Sequence, residues 1–243
     1  MKLIFAGTPE FAAQALQSLL NAGHEIALVL TQPDRPAGRG MSLTMSPVKL
    51  LALADGLNVL QPTSLKQAEI QALLADLKAD AMIVAAYGLI LPVDVLTMPR
   101  LGCLNIHASL LPRHRGASPI AHAILLGERD SGVSIMQMDE GCDTGPVFAR
   151  RAVAIAPDET TATLGHRLAE LGAALLLETL PAILRGELLA LPQDDAAASA
   201  APLLRKEDGA LDFRRPATEL ERRLRAFDPW PGSYAVVGGV RVG

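Results

Sequence analysis

The sequence predicts an α/β fold built on a doubly wound, mostly parallel sheet. Over the first 106 residues, short strand-like runs alternate with longer helical patterns. Half of the 243 residues are hydrophobic but only 3% are aromatic. Much of that apolar share is Ala and Leu, which suits helices laid on a sheet. Strands separated by crossover helices favour parallel pairing with right-handed connections.

Residues 2–6 read as a buried strand, followed by Gly7-Thr8-Pro9-Glu10. Thr8 is expected to cap the next helix, with Pro9 at its first position and Glu10 near its positive end. Phe11, Ala15, Leu16, Leu19 and Leu20 recur at helical spacing until Gly23 stops the pattern. Residues 25–30 form the second strand, and 31–45 read as a turn-rich loop. Ser46-Pro47 opens a helix that ends near Gly56. Strands at 57–60, 81–86 and 101–107 follow, with a helix at 66–77 between the first two.

Beyond His107 come a Pro/Arg/Gly loop, a helix at 119–126 and strands at 132–139 and 146–156, the last open to antiparallel pairing. Residues 160–185 read as a helix that Gly186 ends and Pro181 kinks or splits. QDDAAASAAP (193–202) reads as a linker or long surface loop. A helix at 216–227 stops at Asp228-Pro229-Trp230-Pro231-Gly232, and SYAVVGGVRVG reads as a hairpin interrupted in its second strand.

The formal net charge is −4, with 11 basic and 13 acidic residues in each of the segments 1–150 and 151–243. No bulk basicity points to nucleic acid. Residues 205–225 hold seven Arg/Lys against five Asp/Glu and read as a solvated helix face. The longest apolar runs, 81–87 and 173–177, are too short to span a bilayer, and the N-terminus lacks a signal-peptide cleavage site. No membrane partner is expected. Cys103 and Cys142 form no Cys-x-x-Cys pair, so neither a metal site nor a disulfide framework is indicated. Reduced thiols and a cytoplasmic location follow.

The segment GCLNIHASLLPRHRGASPI (102–120) is the richest in chemistry. Asn105 and His107 are two apart on a strand, so they share a face. They fall at its C-terminal end, where open α/β sheets place ligand crevices. Such polar groups are costly inside an apolar strand unless partnered or used. MDEGCDTGP (138–146) reads as a tight loop presenting a carboxylate, suited to a general base or to orienting a histidine, with an Asx-type turn as the bland alternative.

The remaining signals are weaker. GTPEF has one glycine where a dinucleotide-binding Gly-x-Gly-x-x-Gly needs three, so a plain strand-to-helix turn is favoured over a cofactor site. His24, His122 and His166 read as capping, surface or packing residues. Gly88 after Tyr87 would let a flat ligand approach the backbone. Arg35 and Arg39, in TQPDRPAGRG (31–40), could touch a phosphate backbone.

Together these segments closely resemble the methionyl-tRNA formyltransferases. The resemblance runs through AGTPEFA (6–12), TQPDRPAGRG, SPVK (46–49), AAYGLILP (85–92) and 102–120. It continues in GVSIMQMDEGCDTG (132–145), LRKEDGALDF (204–213) and RAFDPWPG (225–232). It implies a Rossmann-like catalytic domain at 1–190, a linker and short helix at 191–231, and the start of an OB-like, tRNA-binding β-barrel at 232–243. It also implies transfer of a formyl group from 10-formyltetrahydrofolate, without metal, to the α-amino group of initiator Met-tRNA. By motif position, Asn105, His107 and Asp143 would be catalytic. Ser109, Leu110, Leu111 and Pro112 would line the folate site, with Tyr87, Gly88, Leu89 and Ile90 nearby. Arg39 and Arg35 would meet tRNA, and the enzyme would be a monomer.

Two departures from the family pattern stand out. His114 replaces a usual aromatic residue, and Pro146 replaces a common acid. A chain ending in the barrel's first strands is expected to bind tRNA less tightly and to keep its folate site. Formylation of glycinamide ribonucleotide or of an amino sugar, and a non-catalytic folate- or tRNA-binding remnant, stay open.

Overall fold

The computed structural model describes residues 1–37 and 42–242. The chain runs β1 (Lys2–Gly7), α1 (Glu10–Asn21), β2 (Glu25–Leu30), β3 (Arg35–Ala37), β4 (Ser42–Thr44), α2 (Pro47–Ala54), β5 (Val59–Leu60) and α3 (Ala68–Asp76). It continues through β6 (Ala81–Ala85), α4 (Val93–Leu96), β7 (Cys103–His107), α5 (Pro119–Leu125), β8 (Asp130–Gln137), β9 (Val147–Ala154) and α6 (Thr161–Leu184). The last elements are α7 (Ala217–Ala226), β10 (Ala235–Val237) and β11 (Val240–Val242).

Seven strands form the main sheet in the order β5-β2-β1-β6-β7-β8-β9. The first five are mutually parallel, and β8 pairs antiparallel with both β7 and β9. The chain moves outward from β1 through β2 to β5, then returns to place β6 on the other side of β1. The order therefore reverses between β1 and β6, and in open α/β sheets the crevice above such a reversal takes ligands.

Alternation along each strand builds two cores. Leu3, Phe5, Ile83, Leu104 and Ile106 face α1 and α6, meeting Leu16, Leu168 and Leu176. Ile4, Ala6, Met82, Val84 and Cys103 face the other way, toward Leu74 of α3 and Val95 and Leu96 of α4. The same alternation puts Asn105 and His107 on the second face of β7. Farther along that face, a small cluster of Leu111, Met136 and Val147 lies under the loop that follows β7.

Several local expectations change. Thr8 does not cap α1; the N-cap is Pro9, which has no side-chain donor or acceptor. The Thr8 hydroxyl instead donates to the Tyr87 carbonyl (3.1 Å) and accepts from the Gln32 amide (3.4 Å), tying three strand ends together. The loop at 31–45 contains the antiparallel pair β3–β4, joined from Arg35↔Thr44 to Ala37↔Ser42. Ser46 caps α2 as its position predicts, accepting from the Lys49 amide at 3.0 Å. Pro181 does not break α6: the residue itself is exposed, while Leu180 and Ile183 on either side are buried in the core. One lost backbone hydrogen bond on the solvent side does not outweigh that packing.

Of the two readings of 193–202, the surface loop holds, since most of its residues are exposed. This segment is no free linker: Arg115 pairs in parallel with Ala200, and Ala201 is fully buried.

Candidate active site

β7 presents Asn105 and His107 at 8% and 5% exposure, so both need partners. The partner is Asp143, which arrives on the loop between β8 and β9. Its Oδ1 lies 3.4 Å from Asn105 Nδ2 and 3.5 Å from His107 Nδ1, and its Oδ2 accepts from the Gly116 amide at 2.9 Å. Asp143 has φ +54°, a left-handed conformation that Asp and Asn tolerate better than most residues. The turn around it is closed by Asp139, whose Oδ1 accepts from the Gly141 amide and the Thr144 hydroxyl.

On its other side, His107 Nε2 is 3.0 Å from the His114 carbonyl oxygen. A carbonyl only accepts, so Nε2 carries a proton. The imidazole therefore spans a carbonyl and a carboxylate, and its free choice of protonation is confined to Nδ1.

The loop after β7 is wired internally. Ser109 Oγ donates to the Arg113 carbonyl (2.6 Å), and Ser134 Oγ donates to the Ser109 carbonyl (2.7 Å) while accepting from the Leu111 amide (3.1 Å). The Leu111–Pro112 peptide is cis. Ser109 and Leu111 are buried, whereas Leu110 and Pro112 keep partial exposure. His114 is buried with φ +58°, its Nε2 3.1 Å from Glu128 Oε1, and Arg113 pairs with the same carboxylate.

The turn after β6 divides its residues between core and solvent. The Tyr87 side chain is buried in the second core, and burial pushes its phenol well above the usual range. Its contribution to the crevice is the carbonyl, which accepts from Thr8 Oγ1 and from Gln32 Nε2 (3.3 Å). Gly88 has φ +83°, and Ile90 is 84% exposed, with Leu89 partly so. Arg35 stands exposed on β3 and donates to Gln32 Oε1 at 2.9 Å, so Gln32 links that hairpin to the Tyr87 turn. Arg39 lies outside the described residues.

Sequence reasoning missed a cavity of about 550 Å³ lined by α4, by residues 99–102 and by residues 137–140. Val93, Leu96 and Met138 give it apolar walls, and Gln137 and Asp139 give it polar ones. Its residues come from ordinary core-like and loop-like runs, so no residue type marked it. The wall at 137–140 leads directly into the turn that carries Asp143. Among the described residues, no three His, Cys, Asp or Glu side chains are grouped to hold a metal ion, and no helix is long and apolar enough to cross a membrane.

Residues 1–180 match the Formyl transferase family, and 203–243 match Formyl transferase, C-terminal domain. A methionyl-tRNA formyltransferase from Nitrosospira multiformis is 55% identical over 240 residues, covering 99% of this chain and 77% of the relative. One from Dechloromonas aromatica is 57% identical over 242 residues, covering 100% and 78%. Among solved structures, an N-formyltransferase from Helicobacter canadensis in complex with folinic acid and dTDP-3-aminofucose superposes with a TM-score of 0.71. That likeness covers 100% of this chain and 86% of the other at 18% identity, and it speaks to the fold. With more than half of its residues shared across nearly its whole length, the chain belongs to the methionyl-tRNA formyltransferase family.

Proposed function

We infer that this chain transfers a formyl group from 10-formyltetrahydrofolate to the α-amino group of methionine on initiator tRNA. The observation that carries the reading onto this chain's own residues is the convergence of Asn105, His107 and Asp143 beside the turn at 87–90. The names of the relatives support the acceptor, and the folinic acid in the Helicobacter canadensis neighbour supports a folate donor. The exposed Gly88 turn suits the approach of a flat heterocycle, and the cavity at α4 and residues 137–140, part apolar and part polar, suits one with polar edges.

The amine attacks the carbon of the donor's N-linked formyl group, and collapse of the adduct breaks the bond from that carbon to the donor nitrogen, which leaves carrying the proton given up by the amine. Asn105 Nδ2 is a neutral donor whose second hydrogen, beyond the one directed at Asp143, bonds the formyl oxygen as charge gathers there. His107, with Nε2 engaged by the His114 carbonyl, offers Nδ1 to the same charge when protonated. Asp143 orients Nδ1 and accepts the proton that leaves the attacking nitrogen. Ser109, Leu110, Leu111 and Pro112, with Leu89 and Ile90, frame the donor. Arg35 meets the acceptor stem, and Arg39, by motif, shares that role. Residues 1–190 carry the reaction, and 232–243 begin the tRNA-binding part. The unpaired thiols of Cys103 and Cys142 fit a reducing cytoplasmic setting.

The test is formyl transfer from 10-formyltetrahydrofolate to charged initiator tRNA, run beside His107→Ala. Wild-type transfer that falls by about 100-fold or more in the variant is the expected result. Transfer to glycinamide ribonucleotide or an amino sugar, and none to Met-tRNA, would overturn the acceptor.

A further inference from the structure

We propose that Gln193 is a positioning residue for Asp143, and that residues 193–201 form a strap locking together the two loops that carry the site. The proposal rests on the catalytic reading of Asp143 given above.

The Gln193 amide is used at both ends. Its Nε2 donates to the carbonyl oxygens of Asp143 (2.8 Å) and Gly145 (2.7 Å), on either side of Thr144. Its Oε1 accepts from Arg115 Nε (3.1 Å) and Nη2 (2.9 Å), and the same Nη2 also donates to Asp195 (2.7 Å). A guanidinium only donates and a carbonyl only accepts, so this amide has one workable orientation. Asp143 holds a left-handed backbone, a conformation that Asp tolerates but that is uncommon outside glycine. Gln193 holds it in place by fixing the carbonyls at and two residues beyond that position.

Farther along, the strap grips the other loop. Ser199 Oγ accepts from the His114 amide at 2.9 Å, and the Ser199 carbonyl accepts from the Arg115 amide at 2.8 Å. The Ala201 amide donates to the Arg115 carbonyl at 2.7 Å. His114 supplies the carbonyl facing His107, and Gly116 supplies the amide facing Asp143. One segment thus sets the backbone on both sides of the imidazole–carboxylate pair, while none of its own side chains bonds to His107 or to the Asp143 carboxylate among the described residues. Loose support of this kind lets a reacting group drift by an ångström, which costs turnover more than binding.

The experiment is a double-mutant cycle on formyl transfer to charged initiator tRNA, using Gln193→Met, Asp143→Asn and the pair, with 5-formyltetrahydrofolate affinity measured for each. Gln193→Met is expected to lose about 100-fold in kcat, with probe affinity held within about 3-fold. In the Asp143→Asn background the same change is expected to cost little more, because coupled residues are non-additive. Wild-type kcat in Gln193→Met, or losses that multiply in the pair, overturns the proposal. If Gln193→Met does not fold, Gln193→Glu replaces it: this variant keeps the acceptor for Arg115 but sets oxygen against two carbonyls, and wild-type kcat there overturns the proposal equally. Undiminished kcat in Asp143→Asn rejects the catalytic reading and the strap's role with it. A slow Asp143→Asn beside a fast Gln193→Met rejects only the strap.

Discussion

The imidazole Nε2 of His107 meets the backbone carbonyl of His114, seven positions further on, at 3.0 Å. Both groups are buried, so each is the other's means of staying paired away from water. The contact anchors the histidine from one side while Asp143 addresses it from the other.

Two isosteres separate these two contacts. A glutamine at 107 can bring its amide nitrogen near the Nε2 position, and an asparagine can bring its own near Nδ1. His107→Gln is expected to keep stability close to wild type while losing formyl transfer. His107→Asn is expected to lose transfer as well, and to lose about 1–3 kcal/mol because the His114 carbonyl is left unpaired. Urea denaturation of the two variants checks this; equal stabilities would refute it.

Acid stability is expected to depend on Asp34. Hydrogen bonds from Lys49 Nζ (2.6 Å) and Gln61 Nε2 (2.8 Å) hold its carboxyl below the usual carboxylate range. A carboxyl with a depressed folded-state pKa stabilises fully above its unfolded value and loses that contribution as pH falls through the folded one. Wild type is therefore expected to exceed Asp34→Asn in urea midpoint at pH 7. The gap is expected to close below about pH 4, where the unfolded carboxyl titrates. A gap unchanged at pH 3 would refute the assignment.

The two thiols are expected to react very differently. Cys103 is fully buried, and burial pushes its thiol up to about 12. Cys142 is exposed, with a thiol raised first by partial desolvation and then by the adjacent Asp143 carboxylate. Alkylation with iodoacetamide at pH 8 is expected to modify Cys142 slowly and Cys103 only after unfolding, because the thiolate is the nucleophile. Asp143→Asn removes the neighbouring charge and is expected to speed labelling of Cys142. No acceleration would mean that desolvation alone sets that thiol.

Elements were legible where one period dominated. The apolar runs of β1, β6 and β7 and the spacing from Phe11 to Leu20 read correctly because burial on a known face leaves few other sequences. Thr8 misled because its hydroxyl has better partners across the sheet than along the helix, and such partners are tertiary. Pro181 misled because local propensity yields to a packed flank. The run at 193–202 was legible as a surface loop but not in its partners: small, polar residues suit a free linker and an attached loop equally. Asn105, His107 and Asp143 were nameable from motif, but the groups that hold them were not. The His114 carbonyl, the Gly116 amide and the Gln193 side chain act through main-chain geometry, which residue identity does not encode.

Both margins of the seven-stranded sheet are poor templates for a neighbouring molecule. On one flank, β5 offers only Val59 and Leu60, too short a rail for another chain to zip onto. On the other, β9 is met at Val147 by Leu191 and carries Arg150 and Arg151 along its length. Charge and brevity are two ways that natural proteins discourage fibre growth from an open strand. Neither margin of the sheet thus presents a long, uncharged and unpaired strand onto which another chain could add.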